Sequence, residues 1–177
     1  MALFEGDDWR RDYEGRPPLR PHVCVGYIVR HQSLPDGRYN LMLQGVCRAR
    51  IIEELDTGTP YRQAVLRPTE TKGPMEIDLD ETRRRIESLM RDPHLQQLAS
   101  ISAIRNHLSD EVSTAALLDL VIATTCDNVE QRYAMLAESR VQDRANWVER
   151  LLKQTRRTLA TAARFQPQEC EDGVSLN

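Results

Sequence analysis

The stretch VCVGYIVRHQSLPDGRYNLMLQGVCRARIIEEL, residues 23–55, decides how this chain folds. Its first part alternates, with Val23, Val25, Tyr27 and Val29 on one side. Its last part alternates through Tyr39, Leu41, Leu43, Cys47, Ala49 and Ile51. A period of two predicts strands with one buried face. Between the runs lies Leu34-Pro35-Asp36-Gly37-Arg38. Proline presets φ for a turn, aspartate caps it through its side chain, and glycine accepts positive φ. The stretch therefore reads as a long antiparallel hairpin. Gly45 interrupts the second strand with nothing to pack and is expected to mark a bulge or bend, the device by which a sheet curls toward a barrel.

On either side of the hairpin the pattern weakens. Residues 61–66 (YRQAVL) alternate again and predict a third strand, reached through turn residues 56–60. Pro68, Gly73 and Pro74 then break the pattern. Upstream, Met1 to Phe4 reads as a strand end, and residues 5–21 as a polar loop that Trp9 and Tyr13 fold back onto the sheet.

After residue 76 the period changes to that of helices. Asp78 with Glu81 forms a capping box, followed by Leu79, Thr82, Ile86, Leu89 and Met90 on one face. Asp92-Pro93 is an N-cap with proline at the first helical position, ahead of a stripe of Leu95, Leu98 and Ile101. Ser109 is expected to cap a third helix with Asp110 and Glu111 in its first turn. From Val112 to Ile122 that helix is apolar nearly all round, Asp119 being the exception, which predicts a core helix. Asp127 with Glu130 caps a fourth, and Ser139 with Gln142 caps a long fifth, from Arg140 to about Arg164. In the last helix Val141, Ala145, Val148, Leu152, Thr155, Leu159 and Ala162 form a four-three seam. The seam is read as packing on helices of the same chain; the alternative is pairing of its outer turns with another chain. Residues 165–177 are polar and expected to be disordered. The domain reading is thus a β-rich part (1–75), a helical bundle (76–164) and a tail (165–177), in the α+β class.

With 177 residues, 40% of them hydrophobic and 5% aromatic, the chain can build one mainly aliphatic core. A net charge of −3 argues against a protein basic throughout and built to coat nucleic acid. No apolar run reaches membrane-spanning length and residues 1–20 lack a signal-type segment, so the protein is placed in the cytoplasm, away from membranes. Cys24, Cys47, Cys126 and Cys170 form no CxxC pair. Cys24 and Cys47 lie on paired strands and, in a reducing compartment, are read as two small buried side chains. There is no phosphate loop, GxGxxG, GxSxG or HExxH motif. His22, His31, His94 and His107 are scattered, and Glu53-Glu54 and Asp78 with Asp80 sit at element ends. No catalytic, metal or cofactor residue is assigned, and no cofactor is expected. Arg83-Arg84-Arg85 and, on the last helix, Arg140, Arg144, Arg150, Lys153, Arg156, Arg157 and Arg164 read as solvated helix faces. The aromatics that would stack bases are missing there apart from Trp147.

The run from Val25 to Leu55, with its G-x-I strand, its L-P-D-G-R-Y-N-L turn and its L-Q-G-V-x-R-x-R-I strand, followed by PYRQAVLRP at 60–68, resembles the N-terminal domain of Lon proteases. It resembles most the free-standing bacterial proteins made of that domain alone. The likeness covers residues 20–160; the helical half, including residues 136–152, fits more loosely. It implies a PUA-like pseudo-β-barrel followed by a C-terminal helical bundle with a long last helix. It also implies a non-catalytic module that recognises unfolded or extended polypeptides and acts as an adaptor or regulator of proteolysis. In Lon enzymes the ATPase and the Ser–Lys protease are separate domains. The family's opening proline-rich strand and H-I-F-E-P-R-Y segment are missing here, so the barrel is expected to be incomplete at the N-terminus, through a misplaced start or a real loss. Open strand edges then invite self-association, as does the last helix. Tyr27, Tyr39, Met42 and Tyr61, large side chains on the sheet, are the expected polypeptide contacts. The rival readings are an RNA-binding PUA-like protein and an oligomerisation module working through the last helix.

Overall fold

The computed structural model describes residues 1–11, 15–109 and 111–165. The readings made on Tyr13, Asp110, Cys170 and the tail beyond Phe165 lie outside the described residues. The hairpin is present: β1 (His22–Ser33) pairs antiparallel with β2 (Tyr39–Leu55), and β3 (Gln63–Pro68) lines the other side of β2. The described strands form one open sheet of order β1-β2-β3. The turn closes as its residues dictate. Leu34 N donates to Arg38 O at 2.8 Å, Gly37 sits at φ 82, and Asp36 Oδ1 accepts from Arg38 N at 3.1 Å. The Arg38 guanidinium also holds the Asp36 carboxyl below its usual range. β3 starts two residues later than the alternation of 61–66 predicts, because Tyr61 is still in the connecting turn, where its carbonyl accepts from Thr59 Oγ1 at 2.7 Å. Pro68 ends β3 on an edge, where a missing N–H costs no ladder bond.

The helices are α1 (Asp80–Met90), α2 (Pro93–Gln96), α3 (Ala99–His107), α4 (Thr114–Thr125), α5 (Val129–Ala137) and α6 (Val141–Phe165). Several starts differ from their sequence signals. Asp78 lies inside a 3-10 turn, Glu76–Leu79, and α1 has no side-chain cap. The Asp92 cap holds, accepting from His94 N at 3.0 Å, but the stripe behind it is split between α2 and α3. Ser113, not Ser109, caps α4, accepting from Ala116 N at 3.2 Å. Glu76 completes that cap from far along the chain, taking the N–H of Thr114 at 2.6 Å and its hydroxyl. A carboxylate at a helix N-terminus meets the positive end of the macrodipole. Asn128, not Asp127, caps α5, accepting from Gln131 N at 2.9 Å.

The chain divides into two compact units. The first comprises residues 1–73 with 128–141. Arg20 is its junction. Its two terminal nitrogens each donate to Glu130 on α5 at 2.6 Å, Nε reaches Phe4 O at 3.2 Å, and the guanidinium lies 4.9 Å from the Tyr133 ring centre. Tyr133 in turn accepts from His22 N at 3.0 Å, so α5 is fastened to the root of β1. Trp9 stacks on Phe4, the ring centres 5.2 Å apart, within the N-terminal segment itself.

The second unit, residues 74–127 with the chain from 142 onward, carries most of the buried aliphatic side chains. Ile86, Met90, Leu95, Ile101, Leu117, Leu118, Val121, Val148 and Leu152 are fully or almost fully out of solvent. The α6 seam is buried through Ala145, Val148 and Leu152, half-buried at Thr155 and Leu159, and exposed at Ala162. Arg144 corrects the reading of α6 as a solvated basic face. It is 0% exposed and donates to Asp119 of α4 at 2.6 Å. The exceptional acid of the apolar helix and one cation of the stripe are thus a single ion pair. Other cations are matched as well: Arg85 meets Glu149 and Glu81 at 2.9 Å, and Lys153 meets Glu149 at 3.1 Å. Among the described residues no helix is long and apolar enough to cross a membrane.

Removing the carboxylate of Asp119 leaves a buried guanidinium without that charge, so Asp119→Ala is expected to cost about 2–3 kcal/mol in urea unfolding. The figure is below that of a fully buried pair because the Asp119 side chain is 42% exposed. The hydrogen bonds from Arg20 hold the Glu130 carboxyl below its ordinary value. A lowered carboxylate pKa gives stability that is present above the unfolded value, about 4.3, and is lost as pH falls through the folded one. Glu130→Gln should therefore be less stable than the parent at neutral pH, with the difference shrinking below about pH 4. Thermal melts across that range check it; a pH-independent difference would contradict the pair's role.

Candidate functional site

Strand pairing shows where the sheet departs from simple alternation. Val25 faces Cys47 but Gly26 faces Gly45, so Val46 is an extra residue of β2. Ile28 faces Leu43 but Arg30 faces Met42, so Val29 is an extra residue of β1. Each extra residue reverses which face the following side chains take. The bulge expected at Gly45 is therefore there, with a consequence the alternation hid. Tyr39, Leu41 and Leu43 do not share a face with Cys47, Ala49 and Ile51; they lie on the opposite one.

The two faces have different fates. At the root of the sheet Val23 and Ala49 are buried, and Val25, Cys47 and Ile51 are half-buried. Beyond the bulge, from Gly26 to Val46, every side chain is exposed except Leu34 at the turn, which is half-buried. This part is a two-stranded arm, since β3 pairs only with Ala49 to Leu55. The expectation of a single buried face along the whole hairpin is therefore corrected: burial stops where β3 stops. One face of the arm carries Ile28, Leu41, Leu43 and Tyr39, with the Tyr39 ring 6.4 Å from that of His31. The other carries Tyr27, Arg30, Met42 and Gln44. The apolar run Tyr27-Ile28-Val29 was the sequence signal for this, because contiguous apolar residues in a strand populate both faces.

Of the four expected contacts, Tyr27 (69% exposed) and Met42 (59%) share a face of the arm, Tyr39 (60%) occupies the other, and Tyr61 (62%) stands apart, ahead of β3 near the far end of β2. Large exposed apolar surface on a short ribbon is uncommon and marks interaction sites.

At the root of the arm lies a groove of about 410 Å³. Val23, Val25, Ile51 and Leu66 line it together with Met1 and Phe4 of the N-terminal segment. Glu54 and Arg62 also line it, and they form a two-pronged ion pair at 2.7–2.8 Å. Arg62 Nη1 further donates to Pro17 O at 2.6 Å, which pins the loop beside it. The lining is apolar with one internally matched charge pair, which suits aliphatic side chains and offers no acid–base couple. Among the described residues no group of three His, Cys, Asp or Glu side chains is placed to hold a metal. Cys24 lies opposite Arg48, and Cys47 opposite Val25, so the two thiols point to opposite faces and do not approach one another.

The family model described as the ATP-dependent protease La (LON) substrate-binding domain matches residues 3–154. No curated protein matches the chain.

The hinge between root and arm rests on Gly26. A Cβ there would stand 2.5 Å from the carbonyl oxygen of Gln44, whereas one at Gly45 would meet only Cys24 Sγ at 3.8 Å. Gly26→Ala should therefore cost about 1–3 kcal/mol through forced backbone movement. Gly45→Ala should be within about 0.5 kcal/mol of the parent. Denaturant melts of the two variants side by side decide the assignment.

Proposed function

Because this chain belongs to the family of the ATP-dependent protease La (LON) substrate-binding domain, we propose that it recognises unfolded polypeptides on its β1–β2 arm, without catalysing a reaction on them. The observation that carries the reading is the arm itself. Ile28, Val29, Leu41, Met42, Leu43 and Val46 are exposed on the stretch of β1 and β2 that β3 does not reach. A folded client hides its aliphatic side chains; an unfolded one offers them, and burying each is worth about 1.5–3 kcal/mol at most. Tyr27, Tyr39 and Met42 add broad contact area on both faces, and Tyr61 is a separate contact near the other end of the sheet. The bulged, open sheet is read as part of a PUA-like pseudo-barrel within residues 1–75, the part that presents clients. An adaptor or regulator role in cytoplasmic protein quality control goes with that reading.

The test is binding of a reduced, carboxymethylated model protein, followed by fluorescence polarisation. The parent chain should bind it and should ignore the same protein with its disulfides intact. A triple variant, Ile28→Ser with Leu41→Ser and Leu43→Ser, should lose at least about tenfold in affinity, since its sites are exposed and the fold does not need them. Unchanged binding by a folded triple variant would reject the arm as the site.

A further inference from the structure

Resting on that reading, we propose that the bound polypeptide is taken up as an added strand, antiparallel to β1 on its open edge, and that the preferred segment alternates aliphatic with acidic side chains. The root of β1 already pairs one residue, Met1, in this way. The Met1 ammonium donates to Cys24 O, and Cys24 N donates to Met1 O at 3.1 Å. Arg20 N donates to Leu3 O and Glu5 N to Pro18 O, each at 2.8 Å, and Phe4 bridges Leu19 antiparallel. Residues 1–5 thus run antiparallel to 18–24.

The edge beyond continues the same row. Backbone groups of a strand point alternately to its two sides. Cys24 points outward, and no extra residue intervenes on β1 before Ile28, so Gly26 and Ile28 point outward too. Past the Val29 bulge the phase is set by Leu34, which bonds inward to Arg38, so His31 and Ser33 point outward. From Gly26 to Ser33 no described strand lies on this side of β1. An open strand edge is a template for pairing, and main-chain bonds to it bind without demanding a sequence.

Side-chain preference follows from the two faces. An added strand shares them with β1, so every second residue lies beside the Ile28 and Leu43 row. The alternate residues lie beside Tyr27 and Arg30. Arg30 is the arm's charge outside the tip pair of Asp36 and Arg38, which meet at 2.5 Å. Aliphatic residues fit the first row, and a carboxylate fits the second.

A fluorescein-labelled decapeptide of alternating valine and glutamate is the probe, used with the full chain. Two modified versions carry N-methyl groups on all valines or on all glutamates. In an added strand only alternate N–H groups face β1, so one modified peptide should lose at least tenfold in affinity and the other should stay within twofold of the parent peptide. Equal behaviour of the two would overturn strand addition while leaving recognition by the arm's faces intact. Failure of the unmodified peptide to bind, while the carboxymethylated protein still binds, would overturn the proposed side-chain preference and the added strand with it. If neither ligand binds, the recognition function falls as well.

Discussion

The extra residue at Val46 governs what this sheet shows to solvent. A strand without it would keep Tyr39, Leu41 and Leu43 on the side of Ala49 and Ile51. With it, the apolar row crosses to the other side where the third strand ends. The root keeps its aliphatic face inward around Val23 and Ala49, and the arm turns its own outward. Bulges are recurrent devices for re-aiming side chains near functional surfaces. Here the bulge separates a root whose inner face is buried or half-buried from an arm whose side chains are exposed.

The root must be held firmly for such an arm to stand. Gly26 allows the backbones of β1 and β2 to close where a side chain would collide with Gln44. Arg20 gathers the N-terminal segment and α5 at the same end of the sheet through Phe4 and Glu130. These contacts are polar and local to the first unit, where few aliphatic residues are fully buried. The second unit uses the opposite means, a dense aliphatic interior that also takes in the Arg144–Asp119 ion pair. Its matched cations also explain why the basic residues of α6 do not form an uninterrupted positive stripe: Glu149 alone meets both Arg85 and Lys153.

Much of this was legible wherever the chemistry is local. Pro35-Asp36-Gly37 announces its turn because each residue's own backbone preference fixes it, and Asp92-Pro93 announces a helix start for the same reason. Ser109 and Ser113 could not be told apart locally, because Glu76, remote in sequence, completes the cap at Thr114. Asp119 and Arg144 each looked anomalous or ordinary by itself, and only the packing of α4 against α6 makes them partners. The arm was half legible. Its large side chains were visible, but alternation predicts a buried face whether or not anything lies on it, and the reversal at Val46 belongs to the pairing of two strands. Gly45 drew attention as the unpackable residue, while the steric demand sits across the ladder on Gly26.

The guanidinium inside the helical unit has a consequence for how α6 is seated. A seam made only of aliphatic side chains tolerates sliding by a heptad, since one methyl-lined notch resembles the next. Arg144 ends that tolerance. A displaced helix would carry a charge into hydrocarbon and leave its carboxylate behind, at a cost no aliphatic contact repays. The long helix therefore has a single seat, and the polar intruder in its apolar row serves as the locating pin.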